Sequence, residues 1–408
     1  MNRIILHIDM NCYFASVEQQ ANPFLRGKPI GITGKRSAHT NNHQRSVICT
    51  ASIEAKRLGV KTAMSTWEAK KICPTLLLIA GDPEKYSEIT HRFNSILNEF
   101  SDKVERFSVD ESFLDLTDSA QDYLGATFIA QTIRSRLSQE CGERITASIG
   151  LAPNKLMAKL TSERVKPNGL TVTRPQDVIK LLDSVELDDL CGIGPRIKHR
   201  LEQMGIITIK QLRHFPLDRL VHEFKSYGYW LHHSAHGRDS SLVDPSEPEP
   251  KSVGHSYTIP HDTVNINEIK NYLLSLSDKV AWRLRRDSYR ARCVSAYVRY
   301  DDFSGTGQQH RFNTPTADGL KLFQIAWSLI NKKRDPQKPI RLVGLSASQL
   351  SSGPTQISLF KKEQKMSSAL LALDQLQSRY GDQAWTRASL VKTEIKPRSS
   401  GFQYDHEV

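Results

Sequence analysis

The stretch FSVDESFLDL, residues 107–116, constrains the fold of this chain more than any other. Its apolar residues imply extended backbone packed into a core. Yet Asp110 and Glu111 stand adjacent in the middle, with no basic residue between them. Two neighbouring carboxylates repel each other and cost free energy to desolvate. Successive strand residues face opposite sides, so both can point one way only where the chain turns or bulges. A hairpin turn at Asp110–Glu111 would place both near a sheet edge, beside the end of a first strand, RIILHI (3–8), that stops at Asp9. Three carboxylates at one edge make a hard-oxygen site suited to Mg²⁺, and the cation relieves their repulsion. Two such ions about 3.5–4 Å apart can activate an attacking oxygen and stabilise a leaving one in phosphoryl transfer. The residues alone also admit a plainer reading, an exposed acidic turn with Asp9 capping a helix.

At 408 residues the chain is too long for one ordinary core and implies two to four domains. No run approaches the roughly 18 apolar residues of a membrane span. The apolar stretch at the N-terminus is too short for a signal-peptide core. The six cysteines form no CxxC pair and read as reduced thiols. Together these features predict a cytoplasmic protein with no membrane partner. The formal charge of +12 favours acidic partners, nucleic acid first. The excess is clustered: residues 251–347 hold sixteen Lys/Arg against eight Asp/Glu.

Strand and helix patterns alternate along the first part of the chain. YFASVEQQA has helical spacing, VICTASIEAKRLGV (47–60) reads as strand into helix, and Pro83–Phe100 and 123–139 read as helices. ITASIGLA (145–152) reads as a strand, and the segment after it as a helix stopping near Pro167. This predicts an α/β region of about 165 residues. Residues 175–236 look mainly helical, and 239–252, rich in Pro, Ser and acid, reads as a linker. A second α/β unit follows, with a helix at 270–287 and strands CVSAYVRYDD and PIRLVGLSAS. A second linker from 351 and a helical tail at roughly 363–380 complete the chain.

Four segments occur in order: HIDMNCYFASVE (7–18), SVDESFLDL (108–116), SIGLAPNKLMAKLTSERVKPNG (148–169) and LCGIGPRIKHRLEQMGI (190–206). They resemble the signature blocks of the Y-family DNA polymerases, the lesion-bypass class, and most closely the DinB type. The resemblance covers roughly residues 1–347. It implies a multidomain α/β right hand: palm at 1–19 and 79–168, fingers at 20–78, thumb at 169–238, linker at 239–252, little finger at 253–347 and tail at 348–408. The implied enzyme adds dNTPs to a primer 3′-OH by a two-metal mechanism, with low fidelity and no proofreading, in the DNA-damage (SOS) response.

By the same resemblance Asp9, Asp110 and Glu111 are catalytic metal ligands for two Mg²⁺, with the Met10 carbonyl as a further ligand. Many relatives carry another Asp where this chain has Asn11, which can still accept a hydrogen bond. The chain after Asp9 turns into a helix, so the amides of Cys12, Tyr13 and Phe14 lie where phosphate oxygens are favoured. The resemblance makes Phe14 the steric gate against a ribose 2′-OH, and Lys166, in KPNG, the lysine that contacts the triphosphate. The finger motif, commonly TANYEAR, reads TASIEAK here. Thr50 is kept, Ile53 replaces a tyrosine, and Lys56 replaces an arginine, keeping charge and losing the bidentate fork. Lys155 and Lys159 share a helix face and read as contacts to DNA phosphates or as solvated cations. His39 and His43, in the long loop 34–46, read as loop residues.

CGIGP (191–195) resembles a helix-hairpin-helix, in which Gly192 and Gly194 let backbone amides approach a DNA phosphate. Arg283, Arg285, Arg286, Arg290 and Arg292 are candidate contacts to the DNA backbone. QISLF (356–360) resembles the bacterial sliding-clamp peptide, with Gln356, Leu359 and Phe360 as its clamp-binding residues. The expected partners are primer-template DNA, dNTPs and the sliding clamp, bound by a monomer.

Overall fold

The computed structural model describes residues 3–34, 45–353, 361–381 and 384–393. His39 and His43 and the QISLF peptide lie outside the described residues. The chain divides into two compact units at Glu247/Pro248.

The first unit is built on a five-stranded sheet in the order Val104–Arg106, Glu111–Asp115, Ile5–Met10, Ala147–Ala152, Leu170–Val172. The central strand Ile5–Met10 is antiparallel to both neighbours. Both sheet faces are covered, so the strand reads as one apolar run. Alternate residues enter two different cores. Leu6, Ile8 and Met10 pack with Phe93, Ile96 and Leu97 of helix Pro83–Asn98 and with Ala126, Ala130 and Ile133 of helix Tyr123–Glu140. Ile5 packs with Phe113 and with Leu156, Met157 and Leu160 of helix Lys155–Glu163. His7 and Asp9 continue the Ile5 face, so the period of two delivers Asp9 to the side that carries this helix.

A three-stranded sheet of Ile30–Thr33, Thr50–Ala51 and Leu77–Ala80, with helices Ile53–Arg57 and Thr66–Ile72, forms a small satellite core around Ile48 and Leu76. Ser52 and Ser65 cap the two helices with their hydroxyls. The expected boundary at 78 cuts the strand Leu77–Ala80, and the one at 168 stops short of Leu170–Val172, which pairs in parallel with the central sheet. From Val178 the chain is helical: Val178–Leu182, Pro195–Gln203, Ile209–His214, Leu217–Phe224 and Ser226–Ala235.

The expected linker is not a free tether at its start. Val243 is buried, Leu156 N–H donates to Asp239 Oδ2, Arg3 reaches the Ser241 carbonyl, and the Asp244 N–H donates to Glu105. Lys155 sits between Glu105, 2.6 Å away, and the Leu242 carbonyl.

The second unit is a four-stranded antiparallel sheet in the order Gly305–Thr316, Arg290–Tyr300, Ile340–Ser351, Ser252–Thr263. Helices Ile266–Arg286 and Gly319–Lys333 cover one face. The strand Gly305–Thr316, rich in Gly and Gln, lacked the apolar pattern that would reveal it in the sequence. The expected helical tail is present as Lys361–Tyr380. It is fixed to this unit, because Asp374 takes a bidentate pair of bonds from Arg285 at 2.6 and 2.7 Å. Further on, Arg387 binds Asp278 in the same way.

Candidate active site

Asp9 and Glu111 are direct partners across the antiparallel pair of strands Ile5–Met10 and Glu111–Asp115. Cross-strand partners share a face, so their carboxylates converge. The hairpin turn falls at 107–110, ahead of the Asp110–Glu111 position expected: the N–H groups of Phe107 and Ser108 both donate to the Glu111 carbonyl. Asp110 therefore lies in the turn and Glu111 opens the strand; the carboxylates that converge are those of Asp9, Glu111 and Glu163, while Asp110 is held by Ser108 and feels the Asp9 charge. The Met10 N–H donates to the Asp110 carbonyl at 2.9 Å and ties the turn to the central strand. Ser108 Oγ donates to Asp110 Oδ1 at 2.6 Å.

Two lysines meet these acids. Lys166 Nζ lies 2.9 Å from Asp9 Oδ2 and 2.5 Å from Glu163 Oε1. Lys159 Nζ lies 2.6 Å from Glu111 Oε1 and sits over the Phe107 ring. Burial, opposed by Lys166, raises the Asp9 carboxyl to about 6. Burial also raises Asp110, against the bond from Ser108. The lysines therefore compensate only part of the buried negative charge. Asp9, Glu111 and Glu163 each bring an oxygen within 4.8 Å of the others. An all-oxygen, undercompensated donor set of this kind fits a hard divalent cation.

The sequence reading missed Glu163, although it lies four residues after Lys159 on one helix face; the helix ends at Glu163, short of the expected stop near Pro167, and Lys166 reaches Glu163 from the turn that follows. It also left Lys155 and Lys159 between DNA contact and solvent. The structure gives both to acids instead, Glu105 and Glu111, with side chains less than a fifth exposed.

Above the carboxylates, helix Tyr13–Ala21 begins at Cys12, whose backbone is left-handed at φ 50°. The first turn of a helix lacks helical acceptors for its N–H groups, so Cys12 and Tyr13 begin a natural anion seat. The Tyr13 side chain points away, donating to the Tyr86 carbonyl at 2.7 Å. Lys56 reaches the Cys12 thiol, where it opposes the upward push of burial on that group. Thr50 pairs with Ile32 beside it. Phe14 stacks on Tyr86, ring centroids 4.4 Å apart and planes 16° apart. Tyr86 is itself held by its hydroxyl on Glu18 at 2.9 Å. Asp9, Glu111, Lys159, Lys166 and Glu163 are thus brought together, and Lys56 meets the helix start at Cys12.

Family comparisons decide the lineage. The impB/mucB/samB family matches residues 8–163, its C-terminal domain matches 250–359, and the DNA polymerase-iota thumb domain matches 188–239. The chain is 34% identical over 404 residues to DNA polymerase IV of Pelotomaculum thermopropionicum, covering 98% of this chain and 99% of that one. It is 34% identical over 387 residues to DNA polymerase IV of Moorella thermoacetica, covering 94% and 95%. Among solved structures, a Y-family DNA polymerase chimera of Dbh and Dpo4 superposes with a TM-score of 0.77 at 26% identity, over 86% of this chain and 100% of that one. The chain belongs to the Y family of DNA-directed DNA polymerases. A second family member, in an insertion ternary complex of Dbh DNA polymerase, gives a TM-score of 0.57 at 25% identity over the same shares. The mixed α/β fold with a helical thumb domain is the family's.

Family membership gives the thumb hairpin its context. Gly192 has φ 110°, and a Cβ there would meet the Trp230 ring at 2.4 Å. Tyr227 donates to its carbonyl at 2.7 Å. Gly194 precedes helix Pro195–Gln203 and has open space where a Cβ would stand. The arginines of the second unit separate. Arg285 is a correction: it is committed to Asp374 and to the Ala317 carbonyl, with its side chain 14% exposed. Arg286 pairs with Asp287 and lies over Trp282. Arg283 reaches the Gly254 carbonyl at 3.5 Å, and Arg290 is half-buried at a strand start. Arg292 is exposed on the strand Arg290–Tyr300, as is Arg299, which the sequence reading did not single out.

Proposed function

We propose that the chain is a template-directed polymerase of the lesion-bypass class, adding dNTPs to a primer 3′-OH with release of pyrophosphate, at low fidelity and without proofreading. The observation that carries this reading is the pairing of Asp9 with Glu111 after the turn that holds Asp110, with Lys166 on the Asp9 carboxylate and Lys56 at Cys12, where the next helix starts. A nuclease needs the acids but not two cations around an amide-lined helix start.

Asp9, Asp110, Glu111 and the Met10 carbonyl would hold two Mg²⁺ ions. When bound, such ions lower the pKa of an attacking hydroxyl and neutralise charge on the leaving pyrophosphate. The amides at Cys12–Phe14, with Thr50, Lys56 and Lys166, bind and orient the triphosphate. Phe14, braced by Tyr86, stands against a ribose 2′-OH and selects deoxynucleotides. Gly192 and Gly194 bring thumb amides to the duplex backbone, and Arg283, Arg286 and the exposed Arg292 supply little-finger contacts. These contacts position the duplex without reading its sequence.

The domain assignment follows the sequence reading: palm 1–19 and 79–168, fingers 20–78, thumb 169–238, linker 239–252, little finger 253–347. Gln356, Leu359 and Phe360 would dock a monomeric enzyme on the sliding clamp in the cytoplasm, within the SOS response to DNA damage.

Primer extension with purified protein, Mg²⁺ and all four dNTPs tests the reading, with D110A/E111A alongside. Extension and pyrophosphate release by the wild type alone supports it. Release of mononucleotides from the primer would make the protein a nuclease. No reaction with DNA binding intact would make it a non-catalytic relative.

A further inference from the structure

The loop KPNG, 166–169, carries the lysine assigned above to the triphosphate, and a buried polar network holds that loop. Asn11, 5% exposed, accepts the Asn168 N–H on Oδ1 at 2.6 Å and the Thr146 hydroxyl on the same oxygen at 3.2 Å. Its Nδ2 donates to Ser148 Oγ at 2.9 Å. The main-chain donor of Asn168 fixes which end of the amide is oxygen, since an NH₂ group cannot accept. From the other side, Arg134 Nη2 donates to both the carbonyl and the Oδ1 of Asn168, each at 2.8 Å. Asn168 has φ 58°, a left-handed conformation that few residues other than Gly, Asn and Asp adopt. A residue held in that region needs surroundings that over-determine it. Asn11 and Arg134 supply them.

We propose that Asn11 and Arg134 are positioning residues for nucleotide binding: by clamping Asn168 from two sides they fix where Lys166, two residues earlier, presents its ammonium. This rests on the reading of Lys166 as the triphosphate lysine. Neither residue touches substrate. The network starts two residues after Asp9 on the same chain, so it ties the position of Lys166 to the strand end that carries the metal-site carboxylate. The Asn11 side-chain oxygen accepts two bonds here. An aspartate could accept the same two bonds, so N11D should rescue what N11L loses.

The test measures dNTP Kd on a chain-terminated primer-template, together with KM and kcat, for R134A, N11L, N11D, K166M and R134A/K166M. We expect R134A and N11L to raise dNTP Kd and KM about tenfold, with kcat within about threefold and DNA Kd unchanged. N11D should stay within about threefold of wild type. R134A/K166M should bind dNTP no more weakly than K166M alone, because the clamp acts only through Lys166. Multiplicative losses in the double variant, or an unchanged Kd in R134A, would overturn the proposal. An unchanged Kd in K166M would overturn the reading of Lys166 as well. The hydrogen bonds of the half-buried Arg134 side chain go to Asn168, so R134A carries the test even if N11L fails to fold.

Discussion

Burial raises the Asp9 carboxyl to about 6, and Lys166 pulls it back only part of the way. A folded-state value above the ordinary one near 4 means that the folded protein holds this proton more tightly than the unfolded chain. The stabilisation is fully present below about pH 4 and is lost as pH rises through 6, a swing of about 3 kcal/mol. Metal-free D9N should therefore melt higher than wild type at pH 7.5, with the difference vanishing by pH 4. Melts in EDTA across that range check it, and Mg²⁺ should stabilise the wild type only. The triphosphate side supplies a second residue-level prediction. Ile53 offers no donor and Lys56 is a point charge where relatives carry a fork, so I53Y/K56R should lower the dNTP KM about three- to tenfold. Steady-state kinetics with a correct dNTP decides this, and an unchanged KM would mean that other groups already compensate.

Strands and helices each turn a sequence pattern into a direction. The period of two along Ile5–Met10 sends Leu6 and Ile8 to one core and Asp9 to the other side, opposite Glu111. The thumb hairpin uses its two glycines differently. Gly192 needs its left-handed backbone and its missing side chain, because Trp230 and Tyr227 occupy that space. G192A should cost about 1–3 kcal/mol, read as a fall in Tm of several degrees. Gly194 meets nothing, so G194A should keep its Tm, and any loss it shows should be in DNA affinity. Equal effects of the two variants on Tm would contradict this division of roles.

At the scale of the whole molecule the surplus of positive charge in residues 251–347 divides into cations already spent and cations still open. Arg285 is held by Asp374 of the C-terminal helix, and Arg387 of the same region holds Asp278. R285A should leave the slope of log Kd against log salt for DNA nearly unchanged. R292A and R299A should each flatten it by about 0.9 if both face phosphate. D374A should release Arg285 and loosen the helix Lys361–Tyr380, seen as faster proteolysis after residue 353 and a slope steeper by about the same 0.9. Filter binding at several salt concentrations separates these cases.

The alternation of strands and helices in the first part of the chain, the acidic residues Asp9, Asp110 and Glu111, the helix start at Cys12 and a break between two units within 239–252 were legible in the sequence, because each is a local pattern of spacing, polarity or turn chemistry. Glu163, the Asn11–Asn168–Arg134 clamp, the pairing of Lys155 with Glu105 and of Lys159 with Glu111, and the loss of Arg285 to Asp374 were not. Each joins residues from different elements, and an isolated Lys or Arg reads the same whether it meets water, a phosphate or a buried acid. Only the packed fold chooses its partner, because the cost of burying an unpaired charge is paid where the elements meet.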